Sequence, residues 1–438
     1  MHDAATAPAP SLLQHVLQQA ETSCIKCGFC LPTCPTYRLT GNEAASPRGR
    51  IDLMQSVADR ELEPEDIAAQ LDFCLGCRAC ETVCPAGVKF GQLLEAGRAV
   101  VREAAPKSRL SAWIEWASLR VLLPSPLLLW VVTSLLRLYQ VSGMQHVVRS
   151  RNLLQHWCPA LAGLEVNLPP IPSIAERRSV AAETPAKGVT RASLALLTGC
   201  VMPELLPQVN HATVQVLAAN GYRVLAPPAQ RCCGALHAHA GDVQKARQLA
   251  RHNIAVFEAT GAAWIVVNAA GCGAAMKDYG HWLADDPVVA ERAAAFSRRV
   301  RDVSEILATA PLRGLLHAVP VRAAYDDACH LLHGQRISEQ PRALLRQIPQ
   351  LELLDVPESD WCCGSAGTYN LVHVETAQTL LERKMKHLLA VQPQLIVTGN
   401  PGCILQLRQG VRRHQLDMEV VHPVEVLGQA YAQSTPAP

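Results

Sequence analysis

The sequence lacks an excess of either charge. Its 40 Lys and Arg against 38 Asp and Glu leave a formal net charge of +2, which removes the electrostatic ground for a nucleic-acid partner. Aromatic residues make up 4%, too few for a stacking platform for bases. No Gly-x-Gly-x-x-Gly follows a strand-like run and no Walker loop is present; Gly364-Ser365-Ala366-Gly367 does not have the dinucleotide spacing. No Ser, His and Asp set carries a hydrolase signature. The chain therefore offers no evident site of its own for a flavin or a nicotinamide. Met1-His2-Asp3-Ala4-Ala5 lacks the basic region and apolar core of a secretory signal. That absence points to the cytoplasm and away from a disulfide framework.

A long apolar run is also missing. The most hydrophobic stretch, Val121–Tyr139, is interrupted by Pro124 and Pro126 and closed by Arg137. Its continuous part, Leu127–Leu136, is about half of the ~20 residues that a spanning helix needs. The stretch reads first as a buried helix. Trp113, Trp116 and Trp130, together with Arg109, Arg120 and Arg137, also suit a headgroup boundary, so a membrane-surface contact is the competing reading.

What the sequence does have is cysteine, 17 in 438 residues. Without export, metal binding is the better use of so many thiols. Sixteen of them fall into two internal repeats. Cys24, Cys27, Cys30 and Cys34 recur as Cys74, Cys77, Cys80 and Cys84, all offset by 50, and the trailing Pro35 and Pro85 keep the offset. Cys200, Cys232, Cys233 and Cys272 recur as Cys329, Cys362, Cys363 and Cys403, offset by 129 to 131. Cys158 is left over and reads as an ordinary buried thiol.

Composition divides the chain into five stretches. Residues 1–20 form a tail entering a helix, and 21–105 hold the first cysteine repeat. Residues 106–190 form a helical connector ending in a linker, with the Pro-rich passage Leu168–Pro172 inside it. From 191 strand-like and helix-like runs alternate, and the second repeat splits them into 191–315 and 316–438. Strands are expected at Ser193–Thr198, Arg223–Ala226, Trp264–Val267, Val321–Tyr325, Glu352–Val356, Leu395–Thr398 and Glu419–Val421, with helices such as Ala212–Ala219 and Val243–Phe257 between them. Such alternation indicates α/β layers around a largely parallel sheet. The fold class is thus α+β overall: an N-terminal α-helical, ferredoxin-like module, then two repeated α/β units of Rossmann-like character.

The spacing C-x2-C-x2-C-x3-C-P, used twice, is the bacterial run that holds two [4Fe-4S] clusters. A cubane presents four irons at tetrahedral corners. Three cysteines two residues apart wrap three of them, and the fourth, before proline, points away and caps the neighbouring cluster. Cys24, Cys27, Cys30 and Cys84 are therefore expected around one cluster, and Cys74, Cys77, Cys80 and Cys34 around the other. Gly28 and Gly76 let backbone N–H groups approach the sulfurs. Zinc prefers two separated ligand pairs, so this spacing speaks for iron. Ser46-Pro47-Arg48-Gly49-Arg50 reads either as a helix start with a solvated basic face or as guanidinium groups near a cluster or a partner carboxylate.

In the second repeat each unit has one Cys at a strand end, then Cys-Cys-Gly, then Gly-Cys at another strand end. Open α/β sheets hold their ligands there. Gly234 and Gly364 permit an unusual turn beside the thiols. Four thiolates suffice for a third cluster or for a zinc ion in these units. His237, His330 and His333 read as satisfied histidines rather than ligands.

These units resemble the cysteine-rich CCG domain of heterodisulfide reductase subunits. Where that family has a further cysteine, this chain has Ala269 and Asn400, which puts the family's non-cubane cluster in doubt. Across nearly its whole length the chain resembles the iron–sulfur subunit of bacterial glycolate oxidase, in Cys27-Gly-Phe-Cys30, Cys34-Pro-Thr-Tyr37, Pro47-Arg-Gly-Arg50, Asn268–Gly273 and Cys362–Tyr369. The resemblance implies a hetero-oligomer in which FAD belongs to partner subunits that oxidise glycolate to glyoxylate. Electrons would leave toward a quinone-type acceptor, with the complex peripheral on the inner face of the inner membrane and this chain alone inactive on glycolate. The iron–sulfur subunits of anaerobic glycerol-3-phosphate dehydrogenase and of lactate-utilisation complexes share the architecture. A disulfide reductase with chemistry at a CCG site is the alternative of a different class.

Overall fold

The computed structural model describes residues 24–104, 109–157, 165 and 168–432. The tail and helix expected at 1–20, and Cys158, lie outside the described residues. The chain divides into two compact units, Met1–Ala112 with Leu236–Gln244, and Trp113–Ala235 with Lys245–Pro438.

The first unit is helical between its cysteine loops. Helix α1 (Pro47–Ala58) starts on Ser46, whose hydroxyl accepts from Gly49 N, with Pro47 where a missing N–H does no harm. Helix α2 (Pro64–Asp72) also begins on a proline, and Asp66 reaches back to accept from Glu63 N at 2.9 Å. Helix α3 (Phe90–Ala104) lays Phe90, Leu93, Leu94 and Ala96 against Met54, Ile67 and Leu71. Each of the larger side chains contributes about 1.5–3 kcal/mol by leaving water. This small core is the frame from which the two cysteine loops hang.

The second unit opens with helical turns that run to Leu122 and then, bent by 112°, continue as α4 (Pro126–Val141). Among the described residues no single helix is long and apolar enough to cross a membrane. The expectation of a buried helix at Val121–Tyr139 is not met. Of the residues in α4 only Thr133 is buried, while Leu127, Leu135, Leu138 and Val141 are each at least 60% exposed. The reason is that α4 docks by its polar stripe. Arg177 donates to Thr133 Oγ1 (2.6 Å), to Ser134 Oγ (2.9 Å) and to the Glu204 carboxylate (2.7 Å), and Thr133 donates to that carboxylate at 2.6 Å. Arg137 donates to Ile171 O, and Gln140 donates to Pro169 O while accepting from Ile171 N. These charge-assisted bonds fix the polar stripe inward and leave the leucines facing out. Average hydrophobicity could not reveal which face would turn inward.

Two sheets follow. The first contains β1 (Glu183–Thr184), β2 (Ala192–Leu197), β3 (Tyr222–Leu225), β4 (Trp264–Val267) and β5 (Val300–Asp302), in the order β1-β3-β2-β4-β5. All neighbours are parallel except β1 against β3. The second contains β6 (Val321–Asp326), β7 (Leu351–Leu354), β8 (Leu395–Thr398) and β9 (Glu419–Val421), parallel in the order β7-β6-β8-β9. The seven expected strands are all present. The sequence reading missed β1 and β5: one is a two-residue antiparallel edge, the other a three-residue strand squeezed between helices, and neither is long enough to show a period.

The repeat is visible in the topology, since β3-β2-β4-β5 and β7-β6-β8-β9 are the same arrangement. Both halves share one apolar core, with Leu194, Leu196 and Val266 from the first sheet and Ala323, Ile396 and Val397 from the second. Near-continuous hydrophobic strands are what a parallel sheet covered on both faces demands. The halves also exchange helices. α5 (Pro207–Ala219) packs against the C-terminal helix Pro423–Ala432, where Gly428 faces Ala212, and Asn220 donates to Tyr431 Oη at 3.0 Å.

Candidate metal centres

Cys24, Cys27 and Cys30 line one cavity together with Cys84 and Cys80, which arrive from the second run. Pro47, Arg48, Val88 and Phe90 complete the wall, and the empty space, open mouth included, is ≈ 460 Å³. The cavity thus gathers the four thiols of one expected set and one thiol, Cys80, expected in the other. Arg48 closes one side: Nε donates to Glu43 Oε1 at 2.8 Å and Nη1 to Lys26 O at 3.0 Å, while its backbone N–H bonds the Cys30 sulfur. Ser46–Arg50 starts a helix as one reading expected, but its basic face is not solvated, since Arg50 is fully buried. Ser46 caps the helix, and Arg48 stands beside the thiols. Burial pushes the Cys30 thiol up in spite of that N–H.

The other set is drier. Cys34, Cys74, Cys77 and Cys80 are all buried, whereas Cys27 is exposed and Cys24, Cys30 and Cys84 are half-buried. Desolvation drives the Cys80 thiol well up, and the nearby Cys77, Cys74, Glu81 and Cys34 add to it. Gly76 N donates to Cys74 Sγ at 3.4 Å, with φ +63° at the glycine. Two guanidinium groups, buried Arg50 and half-buried Arg98, pin the loops. Arg50 donates to Ala45 O and Gln70 O, both at 2.7 Å, and Arg98 donates to Cys74 O (2.6 Å) and Leu71 O. Arg50 belonged to a phrase the sequence singled out; Arg98 did not, because a residue that fastens a loop from a distant helix carries no motif.

The CCG thiols form two tetrads at the carboxyl ends of strands. Cys200 follows β2, and Cys272 lies in the first turn of α7 (Ala270–Lys277) after β4. Cys200 hydrogen-bonds Cys232, and Cys233 bonds both Cys232 and Cys272. Cys329 begins the helix Cys329–Gln335 after β6, and Cys403 lies in the first turn of the helix Pro401–Arg413 after β8. Cys362 bonds Cys329 and Cys363, and Cys363 bonds Cys403. Mutual contact and burial raise Cys200, Cys233, Cys362 and Cys403, whereas their hydrogen bonds hold Cys363 well below the ordinary thiol range. The tetrads come from the two halves of one core and sit near the seam where Ala270 N donates to Gly399 O at 3.1 Å.

The donor sets fit iron–sulfur clusters. Each consists of four thiols and no carboxylate, a soft set. Sulfur-directed N–H groups are present at Cys74 (from Gly76) and at Cys403 (from Asn400 Nδ2, 3.6 Å). Among the described residues no group of three His, Cys, Asp or Glu side chains is set to hold a single ion. Of the three histidines, His333 bonds Asp360 O at 3.2 Å and is buried.

His422 lies at the seam as well, buried against the backbone of Asn268 and Gly399, with Nδ1 accepting from Val424 N at 3.2 Å. Burial pushes its pKa down to about 3 from 6.5. The unfolded chain binds the proton between those values and the folded chain does not, so stability falls as pH drops below 6.5. The expected slope is about 1.4 kcal/mol per pH unit relative to His422→Gln. Denaturant midpoints for both chains at pH 7, 6 and 5 check this, and parallel curves would mean that His422 is charged in the fold.

Comparisons with known proteins agree with this geometry. Family models described as a 4Fe-4S dicluster domain, as the linker region of the glycolate oxidase iron-sulfur subunit, and as a cysteine-rich domain match residues 21–88, 111–168, and 194–277 with 323–408. The "Probable glycolate oxidase iron-sulfur subunit" of Bacillus subtilis (strain 168) is 40% identical over 419 residues, 94% of each chain. The glycolate oxidase iron-sulfur subunit of Escherichia coli (strain K12) is 34% identical over 93% of each chain. Lactate utilization protein A of Exiguobacterium sp. is 26% identical over 55% of this chain and 99% of its own.

Proposed function

This chain belongs to the family of glycolate oxidase iron–sulfur subunits, and from that premise we propose that it conducts electrons within a complex that oxidises glycolate to glyoxylate. Its role is iron–sulfur electron transfer. Cys24, Cys27, Cys30 and Cys84 hold one [4Fe-4S] cluster, and Cys34, Cys74, Cys77 and Cys80 hold the second. Such clusters supply reversible one-electron storage. The observation that carries this reading is Cys84, far along the chain, standing with Cys24, Cys27 and Cys30 around one cavity whose wall also includes Cys80 of the second set.

Glycolate gives up two electrons, and a flavin converts pairs into single electrons. FAD therefore belongs to partner subunits. The half-exposed thiols of the first set make it the port for exchange with another protein, and the buried second set keeps the relay dry. The chain binds and spaces; the bond-breaking happens elsewhere, so alone it is inactive on glycolate. A quinone-type acceptor receives the electrons.

The same reading puts the complex on the inner face of the inner membrane. Leu127, Leu135 and Leu138 face outward, with Trp113, Trp116 and Trp130 also exposed. Between 109 and 151 there are five arginines and a single acid, Glu115. Aliphatic side chains flanked by indoles and cations suit anionic headgroups. The lactate reading is weaker, because lactate utilization protein A of Exiguobacterium corresponds to only 55% of this chain, whereas the glycolate oxidase subunits align over nearly all of it.

Anaerobic purification followed by iron and sulfide analysis tests the reading. At least about eight irons per chain, with cubane signals in electron paramagnetic resonance after dithionite, are expected. Colourless, zinc-loaded protein would end it.

A further inference from the structure

The two CCG tetrads share a topology but not their surroundings. Gly234 and Gly364, each with φ +87°, press on Ala246 of α6 (Val243–Glu258) and Ala377 of the helix Val374–Ala390. Counting the same distance onward from those alanines gives Asn253 in the first half and Lys384 in the second. The last residue of the central strand is Leu197 in the first half and Asp326 in the second. Their partners on the neighbouring strand are Val267 and Thr398. At the position before the helix that bears the last thiol stand Ala269 and Asn400. Every one of these four changes makes the second site more polar.

The changes form one network. Lys384 Nζ lies 2.8 Å from Asp326, with side-chain exposures of 0% and 1%, and donates to Glu358 O and Ser359 O at 2.9 Å each. Thr398 donates to Asp326 Oδ2 at 3.0 Å. The ammonium acts electrostatically on Cys362 and Cys363. Asn400 Nδ2 points to Cys403 Sγ, and Gly271 N holds the amide by donating to Asn400 Oδ1 at 3.1 Å. Asn253, by contrast, is taken up by the neutral backbone of Arg231 and Cys232.

A buried ion pair is no aid to stability over well-packed apolar residues. The first half folds with leucine, valine and asparagine in the same places, so packing does not require these charges. A four-thiolate iron centre carries net negative charge, and sinking it into a low-dielectric interior calls for a cation and for N–H groups on its sulfurs. Among the described residues only the second tetrad has such a buried cation, which it shares with Asp326.

We propose that the chain carries its third iron–sulfur centre in the second tetrad alone, held by Cys329, Cys362, Cys363 and Cys403 with Lys384 and Asn400 as positioning residues. The first tetrad holds no cluster and serves as a structural copy that completes the shared core. This rests on the reading of the chain as an iron–sulfur relay.

Iron and sulfide are counted in the full chain purified anaerobically, together with the spectra of the dithionite-reduced protein. Wild type is expected to hold about twelve irons. Cys363→Ser and Cys403→Ser each lose about four irons while the ferredoxin-type signals persist, which also shows that the chain has folded; Cys233→Ser loses none. Grafting the first half's residues, Asp326→Leu with Lys384→Asn, removes the centre or shifts its midpoint potential and leaves the other signals in place. A loss of iron in Cys233→Ser overturns the proposal, as does full retention at unchanged potential in the double graft. About eight irons in wild type overturns it while the relay stands; zinc in place of all iron overturns both.

Discussion

Replacing Cys77 by serine is expected to cut electron delivery from the complex to an external acceptor by roughly a hundredfold or more, while substrate still reduces the partner's flavin at its normal rate. Altering a group that merely supports a metal ligand costs about 10–100-fold in affinity or activity, so removing a ligand belongs at or beyond the top of that range. Cys77 is 9% exposed and sits among Cys34, Cys74 and Cys80 in the drier of the two sets. A serine hydroxyl there has a far higher pKa than a thiol and is left protonated against iron. The surrounding core of Met54, Leu71 and Leu93 does not depend on the sulfur, so the fold and the complex should survive. Stopped-flow measurement of flavin bleaching, alongside steady-state turnover with a soluble dye, separates the two steps. If bleaching vanished in an intact complex, the chain would be taking part in the oxidation itself. If turnover were unchanged, the buried set would lie off the electron route.

The second large effect is expected at the surface. Changing Leu127, Leu135 and Leu138 together to serine should lower partition into vesicles of mixed zwitterionic and anionic lipid by about a thousandfold. Each leucine contributes about 1.5–3 kcal/mol when fully withdrawn from water, and three of them only partly buried in a headgroup layer still sum to about 4 kcal/mol. All three are at least 60% exposed, so the fold should not notice the change. The basic surround adds an electrostatic share that salt weakens. Flotation with the wild-type and triple-variant complexes checks both features. Should the variant float normally but no longer assemble with its flavin-bearing partner, the face is a subunit interface and the lipid reading is lost.

Much of the site was readable before any coordinates. The period of the first repeat assigned Cys84 to the company of Cys24, Cys27 and Cys30, because a cubane has four corners and a seven-residue loop reaches three. The second repeat announced two CCG units at strand ends, since an open parallel sheet presents its carboxyl edge to ligands. Other features had no such signal. Arg98 reaches the Cys74 loop from a helix with no motif around it. Lys384 is an ordinary residue in an amphipathic helix until Asp326, far away in sequence, is laid beside it.

The chain's own order of residues therefore indicated which thiols to expect together and determined which elements would alternate, since ligand spacing and hydrophobic period are local properties. Which cage would be dry, which side of α4 would turn inward, and which of two like tetrads would receive a buried cation were decided by tertiary structure. Those outcomes depend on what distant segments bring to the same place, and desolvation and Coulomb energy are fixed only once the neighbours are.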